Sequence, residues 1–239
     1  MKKLRVVKLV ICMVVGAVLF TAPMGSLSHA QTFTTPAGSQ INGLDVKAQA
    51  AFTIDDATDT ISIILTNLQA NPTAVAQNLS DLGFILSSGQ TSGTLSSSSG
   101  MERTVASDGT FTDGSIVATG WALTNNFSFG SAGTGLELSV LGTPAGPAHT
   151  IIGPPDNTGI YSNANNSIAG NGPHNPFLGQ TATFTLSVPG IDTTTAISFV
   201  QFSFNTAPGS IVNVPEPSTL LLLGCGLFGF VGLRRKIRK

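Results

Sequence analysis

The stretch Thr181–Val188, TATFTLSV, decides the fold class of this chain. The apolar residues Ala182, Phe184, Leu186 and Val188 occupy every second position, and hydroxyl side chains fill the positions between them. Period-two alternation with one apolar and one polar face is typical of an antiparallel strand that covers a core. We therefore predict a β-strand here.

The same alternation recurs along the central part of the chain. In Val46–Ile54, apolar residues again occupy every second position. Turn-rich segments such as SDGTFTDG separate further short apolar runs, which are candidate strands. These candidates are Ile61–Leu65, Phe84–Leu86, Leu136–Val140 and Val200–Phe204. We predict an all-β fold for residues 31–212, a two-sheet antiparallel β-sandwich of jelly-roll type.

Three local departures from this pattern are expected. Asn71 followed by Pro72 is typical of a helix start, which predicts one or two helical turns there. The adjacent apolar residues Phe199 and Val200 break the alternation, which predicts a bulge or bend. Residues 142–178 contain six of the thirteen prolines, which predicts a long irregular segment that is functional or mobile.

We predict that most aromatic side chains lie in the core. Eleven of the fourteen phenylalanines lie in residues 31–217, mostly within predicted strands, where we expect them to be buried. Trp121 and Tyr161 are the one tryptophan and the one tyrosine. A sugar-binding site would use such rings for stacking, but we expect Trp121 to be buried or half-buried.

Charge is distributed unevenly along the chain. All twelve acidic residues lie between residues 45 and 216, where Lys47 and Arg103 are the only basic ones. A segment this acidic repels phosphate backbones and anionic lipid, so we predict no nucleic-acid partner. Cys12 and Cys225 both lie in apolar runs near the two ends, so residues 31–212 have no cysteine with which to form a disulfide.

Residues 1–30 have the three parts of a secretory signal peptide. The basic start MKKLRVVK leads into the apolar run LVICMVVGAVLF. Ser28 and Ala30 then place small residues at the −3 and −1 positions of a cleavage site. We predict that signal peptidase cuts between Ala30 and Gln31 after the secretion machinery exports the chain.

Acidic residues cluster in two predicted turns. Asp55, Asp56 and Asp59 in IDDATDT are weak candidate Ca²⁺ ligands, although the stretch lacks the Asp-x-Asp-x-Asp-Gly pattern and Asp is common in ordinary turns. Asp108 and Asp113 flank the second turn. Glycoside hydrolysis needs two carboxyl groups at a set separation, which spacing within one turn does not establish.

No catalytic or cofactor-binding pattern is found between the two ends. His149 and His174 are the histidines of residues 31–217, and both lie in the proline-rich segment without companions at metal-binding spacing, where we expect them to be solvated. There is no Gly-x-Ser-x-Gly motif. We predict that the protein is not an enzyme, has no cofactor and has no metal site beyond the weak calcium candidate.

Residues 213–239, NVPEPSTLLLLGCGLFGFVGLRRKIRK, combine three features. Pro215 and Pro217 hold the chain extended around Glu216. Residues 218–233 have no charge, and as a helix they would span about 24 Å, a little less than the ~30 Å core of a bilayer. We predict a single transmembrane helix, followed by a basic stop-transfer tail made of Arg234, Arg235, Lys236, Arg238 and Lys239 that stays in the cytoplasm.

This tail resembles the PEP-CTERM sorting domain of bacterial exosortase substrates. The motif Val214, Pro215, Glu216, Pro217, Ser218, the apolar run and the basic cluster occur in the order typical of that family. The resemblance implies recognition and cleavage by an exosortase, a membrane transpeptidase. It also implies release or attachment of the protein at the cell surface, often alongside exopolysaccharide production.

The sequence therefore predicts an exported, non-enzymatic protein of the cell surface or extracellular matrix. Its precursor is anchored in the membrane by residues 218–233, and exosortase processing follows. Two alternatives stay open: a carbohydrate- or calcium-binding module of the exopolysaccharide matrix, and a secreted hydrolase, which would need two acidic residues in one cleft.

Overall fold

A computed structural model describes residues 28–214, which form an all-β domain. Within these residues there is no α-helix, and two short 3₁₀ turns occur at Val75–Gln77 and Gly130–Ala132. The strands are β1 (His29–Thr34), β2 (Gln40–Ile41), β3 (Leu44–Asp45), β4 (Ala48–Asp55), β5 (Thr60–Asn67), β6 (Leu79–Leu86), β7 (Thr94–Val105), β8 (Phe111–Val117), β9 (Ala122–Ser128), β10 (Thr134–Ser139), β11 (Ile151–Ile152), β12 (Phe177–Ser187), β13 (Ile197–Phe204) and β14 (Ile211–Val214).

Twelve strands belong to one hydrogen-bonded sheet that has two arms. Arm A contains β1, β4, β5, β12, β7 and β8 in that order, and arm B contains β14, β13, β6, β10 and β9. The short strand β11 joins the arms, because it pairs in parallel with β12 and antiparallel with β6. All other pairings are antiparallel, as predicted. The stacking of two separate sheets stays a prediction.

Alternation of side chains determines which face of each strand is buried. In β12, Ala182, Phe184 and Leu186 are buried, whereas Thr183 is exposed. Phe184 lies opposite Ile63 of β5 in the ladder, and Ile63 in turn lies opposite Phe52 of β4. Apolar residues therefore form continuous cross-strand rows on the inner face of arm A. The strands predicted from alternation are all confirmed, most of them with longer ends.

The inner faces of both arms contribute to one hydrophobic cluster. Phe52 of arm A packs edge-on against Phe84 of arm B, with ring centroids 5.3 Å apart. Full burial of a phenylalanine side chain contributes about 1.5–3 kcal/mol. Seven of the eleven phenylalanines expected in the core are buried there or in the small cluster described below. The other four, Phe111, Phe127, Phe129 and Phe199, are half-buried.

The predicted helix after Asn71 is wrong, since only the 3₁₀ turn Val75–Gln77 forms. Asn71 has a φ of 47°, which is outside the right-handed helical region. The Gln77 side chain accepts hydrogen bonds from the backbone N–H groups of Thr73 (2.6 Å) and Ala74 (3.3 Å), and Asn67 Nδ2 donates to the Gln77 carbonyl (2.9 Å). The Gln77 side chain thus satisfies two N–H groups that the first turn of a helix would leave unpaired, and Asn67 occupies the carbonyl that a longer helix would need as an acceptor.

The predicted bulge in β13 is found close to the predicted position. The register between β13 and β6 shifts between Ile197 and Phe199. The proline-rich segment 142–178 is irregular apart from β11 and the start of β12, as predicted. It has a small core of its own, in which Tyr161 is buried and its hydroxyl donates to the Gly153 carbonyl at 2.8 Å.

The ends of the domain overlap the two predicted targeting segments. Strand β1 begins at His29 and contains Ala30 and Gln31, and β14 ends at Val214. The predicted transmembrane helix 218–233 and the basic tail 234–239 lie outside the described residues, as does most of the signal peptide. Within residues 28–214, no helix has the length and apolar character needed to cross a membrane.

Candidate binding cleft and sorting segment

Arm B carries a cleft on the face that points away from the core. Asp81 of β6 lies directly opposite Ser139 of β10 on one side and Ser203 of β13 on the other. Glu137 of β10 lies opposite Gly83, two residues farther along β6. The cleft has a volume of about 510 Å³. Its polar lining consists of Asp81, Ser128, Glu137, Ser139, Gln201, Ser203 and Asn213.

Aromatic rings form one wall of this cleft. Phe127 and Phe129, at the end of β9, line the cleft, and their ring centroids are 5.0 Å apart. Phe129 also contacts Phe199 of β13, with centroids 5.3 Å apart. The Phe129 ring lies directly over Gly83, where any Cβ atom would overlap it. A glycine at position 83 is therefore what allows the ring to lie flat on the sheet.

Asp81 is the buried acidic group of the cleft. Its exposed fraction is 5 %, and Ser80 Oγ donates to its carboxylate at 2.9 Å. Burial raises the pKa of Asp81, and hydrogen bonds from Ser139, Ser80 and Ser203 partly oppose that rise. The carboxylate thus lies beneath the cleft surface within a ring of serine hydroxyls.

Glu137 is the more accessible acidic group. Burial, and to a smaller extent the charge of Asp81, raise the pKa of Glu137 to about 7. The two acidic residues are diagonal neighbours on adjacent strands, a relation that places Cβ atoms about 7–8 Å apart. Glu137 therefore carries a proton for part of the time at neutral pH.

Among residues 28–214, no basic side chain lies beside these two carboxyl groups. In the described part of the chain the basic residues are Lys47 and Arg103, and neither lines the cleft. Arg103, on β7, donates to both carboxylate oxygens of Asp113 at 2.6 and 2.8 Å. Its guanidinium also stacks on Phe111, 4.0 Å from the ring centroid. The acidic groups of the cleft are thus unpaired, whereas Asp113 on arm A is fully paired.

The candidate calcium ligands form an ordinary turn between β4 and β5. Asp55 Oδ1 accepts a hydrogen bond from the backbone of Ala57 at 3.1 Å, and Asp59 Oδ1 accepts one from Gly190 at 3.1 Å. Across residues 28–214, no group of three or more acidic, histidine or cysteine side chains could hold a metal ion. The structure does not bring Asp55, Asp56 and Asp59 together as a calcium site.

The two histidines of the proline-rich segment are not simply solvated, which corrects the expectation. His149 Nδ1 lies 2.9 Å from the Thr119 carbonyl oxygen, and Nε2 lies 3.3 Å from Glu102 Oε1. His174 Nδ1 lies 2.7 Å from the Ser167 carbonyl oxygen. His149 therefore helps to hold the segment against the rest of the domain, whereas His174 makes its contact within the segment.

Neither aromatic residue considered for sugar stacking is accessible. Trp121 is 4 % exposed and donates from Nε1 to the His149 carbonyl at 2.9 Å, and Tyr161 is 1 % exposed. Phe127 and Phe129 are the accessible rings beside polar groups. Alternation could have identified Glu137, because it lies between the buried residues Leu136 and Leu138 and must point outward.

The sorting segment leaves the domain beside this cleft. Val214, the last described residue, is buried and pairs with Val200. Asn213, one residue earlier on β14, lines the cleft. The remaining motif residues, Pro215, Glu216, Pro217 and Ser218, lie outside the described residues.

Comparison with known proteins identifies the C-terminal segment. The model of the PEP-CTERM protein-sorting motif matches residues 213–236. Neither a curated protein nor a solved structure matches the chain. The chain therefore carries a PEP-CTERM sorting motif at residues 213–236, which indicates an exported, surface-directed protein that is sorted by an exosortase.

Proposed function

We propose that this chain is a non-enzymatic protein of the cell surface or extracellular matrix, delivered there through its C-terminal sorting segment. The PEP-CTERM match at residues 213–236 is the observation that carries the proposal. Because Val214 is still hydrogen-bonded in β14, the exosortase acts just beyond the edge strand of arm B. The domain is thereby held at the membrane until the tail is removed.

The precursor in this proposal has both ends in the cytoplasm and its β-domain outside. Signal peptidase removes residues 1–30 by cutting between Ala30 and Gln31, residues 218–233 cross the membrane, and the basic tail stays inside. This cut falls within β1, and the mature chain keeps Gln31, whose side-chain oxygen accepts a hydrogen bond from the Ile197 N–H at 2.7 Å. We further propose that the two arms stack as a sandwich around the shared core.

Cell fractionation with a motif variant tests the sorting proposal. The wild-type chain and the variant Glu216→Gln are expressed in bacteria with and without an exosortase. We expect the wild-type protein to leave the membrane fraction only where the exosortase is present, and the variant to leave it more slowly. Asp192→Asn, a change of the same kind on a distant loop, is the control. Equal membrane retention of the wild-type protein in both hosts would refute the proposal.

The cleft of arm B favours saccharide binding as a second candidate function. Half-buried phenylalanine rings beside carboxyl, amide and hydroxyl groups combine an apolar surface with groups that orient a polar ligand. The described residues contain no comparable cluster for calcium. Calorimetric titration of oligosaccharides into the full chain, with Phe129→Ala as the comparison variant, tests this function. Equal heats for both proteins would exclude the cleft.

A secreted hydrolase is the less favoured use of the same cleft. Two carboxyl groups at this spacing resemble a glycosidase pair, and a raised pKa like that of Glu137 suits a general acid. The second carboxylate, however, must reach the sugar or its attacking water. Asp81 is almost fully buried and held by serine hydroxyls, so it has little access to a substrate.

A further inference from the structure

Two acidic side chains line the cleft, but none of its lining residues within the described part of the chain is basic. Asp81 and Glu137 are the titratable side chains that line it among residues 28–214, and Arg103 is committed to Asp113 on the other arm. Glu137 has no side-chain hydrogen bond within the described residues, while Asp81 uses serine hydroxyls. Glu137 is therefore available to form an ionic contact with a ligand that carries a positive charge.

The aromatic rings on one side of the cleft favour an organic ammonium group over a metal ion. The faces of Phe127 and Phe129 present partial negative charge, which attracts an ammonium group within about 6 Å of a ring centroid. A bare metal ion would need several oxygen ligands at short distance, and the cleft supplies no cluster of three acidic groups. An ammonium group attached to a carbon framework matches both the rings and the carboxylate.

The hydrogen-bonding groups of the cleft favour a ligand whose carbon framework carries hydroxyl groups. Gln201 and Asn213 lie on β13 and β14 at the same side of the cleft, and Gln201 Nε2 donates to Asn213 Oδ1 at 2.8 Å. Their amides retain donors and acceptors that suit hydroxyl groups. The volume of about 510 Å³ accommodates a ligand of at least sugar size.

We propose that the cleft of arm B binds an amino sugar with a free, protonated amine, with Glu137 as the ionic contact, Phe127 and Phe129 as the stacking wall, and Gln201 and Asn213 as hydroxyl partners. This inference rests on the saccharide-binding candidate above and adds the chemical class of the ligand. Asp81 contributes its negative field from beneath the surface. The inference is independent of how the protein is sorted.

Proton linkage distinguishes this ligand from a neutral sugar. Because the pKa of Glu137 is raised to about 7, the empty cleft holds part of a proton at neutral pH. An ammonium ion favours the ionised carboxylate, so its binding must release protons and must weaken as the pH falls below 7. Asp81 is the other charged group that faces Glu137. A neutral sugar gives neither effect.

Calorimetry with matched probes tests the proposal. Glucosamine and glucose are titrated into the full chain in detergent at pH 7.0 and pH 5.5, in two buffers of different ionisation enthalpy. We expect glucosamine to bind about tenfold more tightly than glucose at pH 7.0, with proton release, and to lose about tenfold at pH 5.5. Glu137→Gln should reduce the preference for glucosamine to about twofold or less, and the melting temperature confirms that this variant is folded.

A matched control and two contrary results complete the test. Asp108→Asn removes an exposed carboxylate of arm A, and the preference for glucosamine should survive it. Equal affinity for glucose and glucosamine, without proton release, would overturn the amino-sugar inference and leave a neutral saccharide site. If neither probe binds, both the inference and the saccharide-binding candidate fail, while the sorting proposal is judged separately by fractionation.

Discussion

The outer faces of the two arms follow the same alternation but have different chemistry. On arm A, Thr183 of β12 lies beside Ser99 of β7, and their hydroxyl oxygens are 2.7 Å apart on a solvent-exposed surface. On arm B, the corresponding face carries Asp81 and Glu137 beneath half-buried phenylalanine rings. A polar face that only meets water needs no charge and no cover. Burying carboxyl groups is costly, and that cost is why we propose a ligand-binding function for the outer face of arm B.

The largest expected effects fall on the core that both arms share. Phe184→Ala on arm A and Phe84→Ala on arm B should each lower the free energy of unfolding by about 3–5 kcal/mol, because both side chains are fully buried. Urea denaturation measures the loss, with Thr183→Ala on the outer face expected to change stability by less than about 0.5 kcal/mol. A much smaller loss for one phenylalanine would show that the arms do not share one core.

The next largest effect separates the two outer faces. Gly83→Ala should cost about 1–3 kcal/mol, since the new methyl group must displace the Phe129 ring from arm B. Gly172→Ala, at a position with open space around its Cα atom, is the control and should be nearly neutral. In a double-mutant cycle, Phe129→Ala should remove most of the penalty. An additive cycle would contradict the packing of this ring on Gly83.

Arg103 and Asp113 of arm A form an ion pair, so removing one partner should destabilise the domain. Arg103→Lys loses the two-point contact with Asp113, the stacking on Phe111 and the hydrogen bond from Nη1 to the Tyr161 hydroxyl (3.1 Å). We expect a loss of about 1–2 kcal/mol in urea denaturation. A Lys47→Arg variant, changed at the other basic position, should stay close to the wild type.

Glu137 of arm B has no ion-pair partner among residues 28–214, so removing its charge should stabilise the domain, whereas the change at Arg103 should destabilise it. The pKa of Glu137 is raised in the folded protein, so its contribution to stability is complete below its unfolded value of about 4.3 and is lost as the pH rises through 7. Glu137→Gln should therefore stabilise the domain at pH 8 by about 1 kcal/mol, after allowance for solvent screening of this half-exposed group, and should have little effect at pH 4.

Asp108→Asn is the control for this pH dependence. The pKa of Asp108 is lowered by hydrogen bonds from the Thr110 hydroxyl and backbone N–H, so the sign is reversed and no gain at pH 8 is expected. Melting temperatures of the wild type and both variants at pH 4, 6 and 8 measure the difference. A constant offset between wild type and Glu137→Gln at all three pH values would show that Glu137 does not titrate in this range.

Local alternation predicted most of the fold, because the apolar residues at every second position of a strand show which face is buried. Thr181–Val188 reveals β12 directly, and Leu136–Val140 reveals β10. The short link β11 was not predictable, since Ile151–Ile152 is too short to show a period and depends on contacts with β6 and β12. The helix predicted after Asn71 fails because the Asn67 and Gln77 side chains bind the backbone there, and propensity alone does not show these contacts.

The candidate cleft was only partly visible in the sequence. Alternation directs Glu137 outward, but its elevated pKa depends on burial in the cleft and, to a smaller extent, on Asp81 of the adjacent strand, and neither can be seen in the sequence. Phe127 and Phe129 were expected in the core, because a phenylalanine covering a glycine on the outer face looks the same in sequence as one facing inward. The sorting segment, by contrast, was recognisable from contiguous residues, since its function depends on local order rather than on folding.

The mass of the mature protein recovered from its producing cells and their medium tests the central claim most directly. We predict that intact-mass spectrometry finds a surface or secreted form that begins at Gln31 and has lost the basic tail. A protein recovered from the cytosol with Met1 and Lys239 both present would contradict export and sorting together.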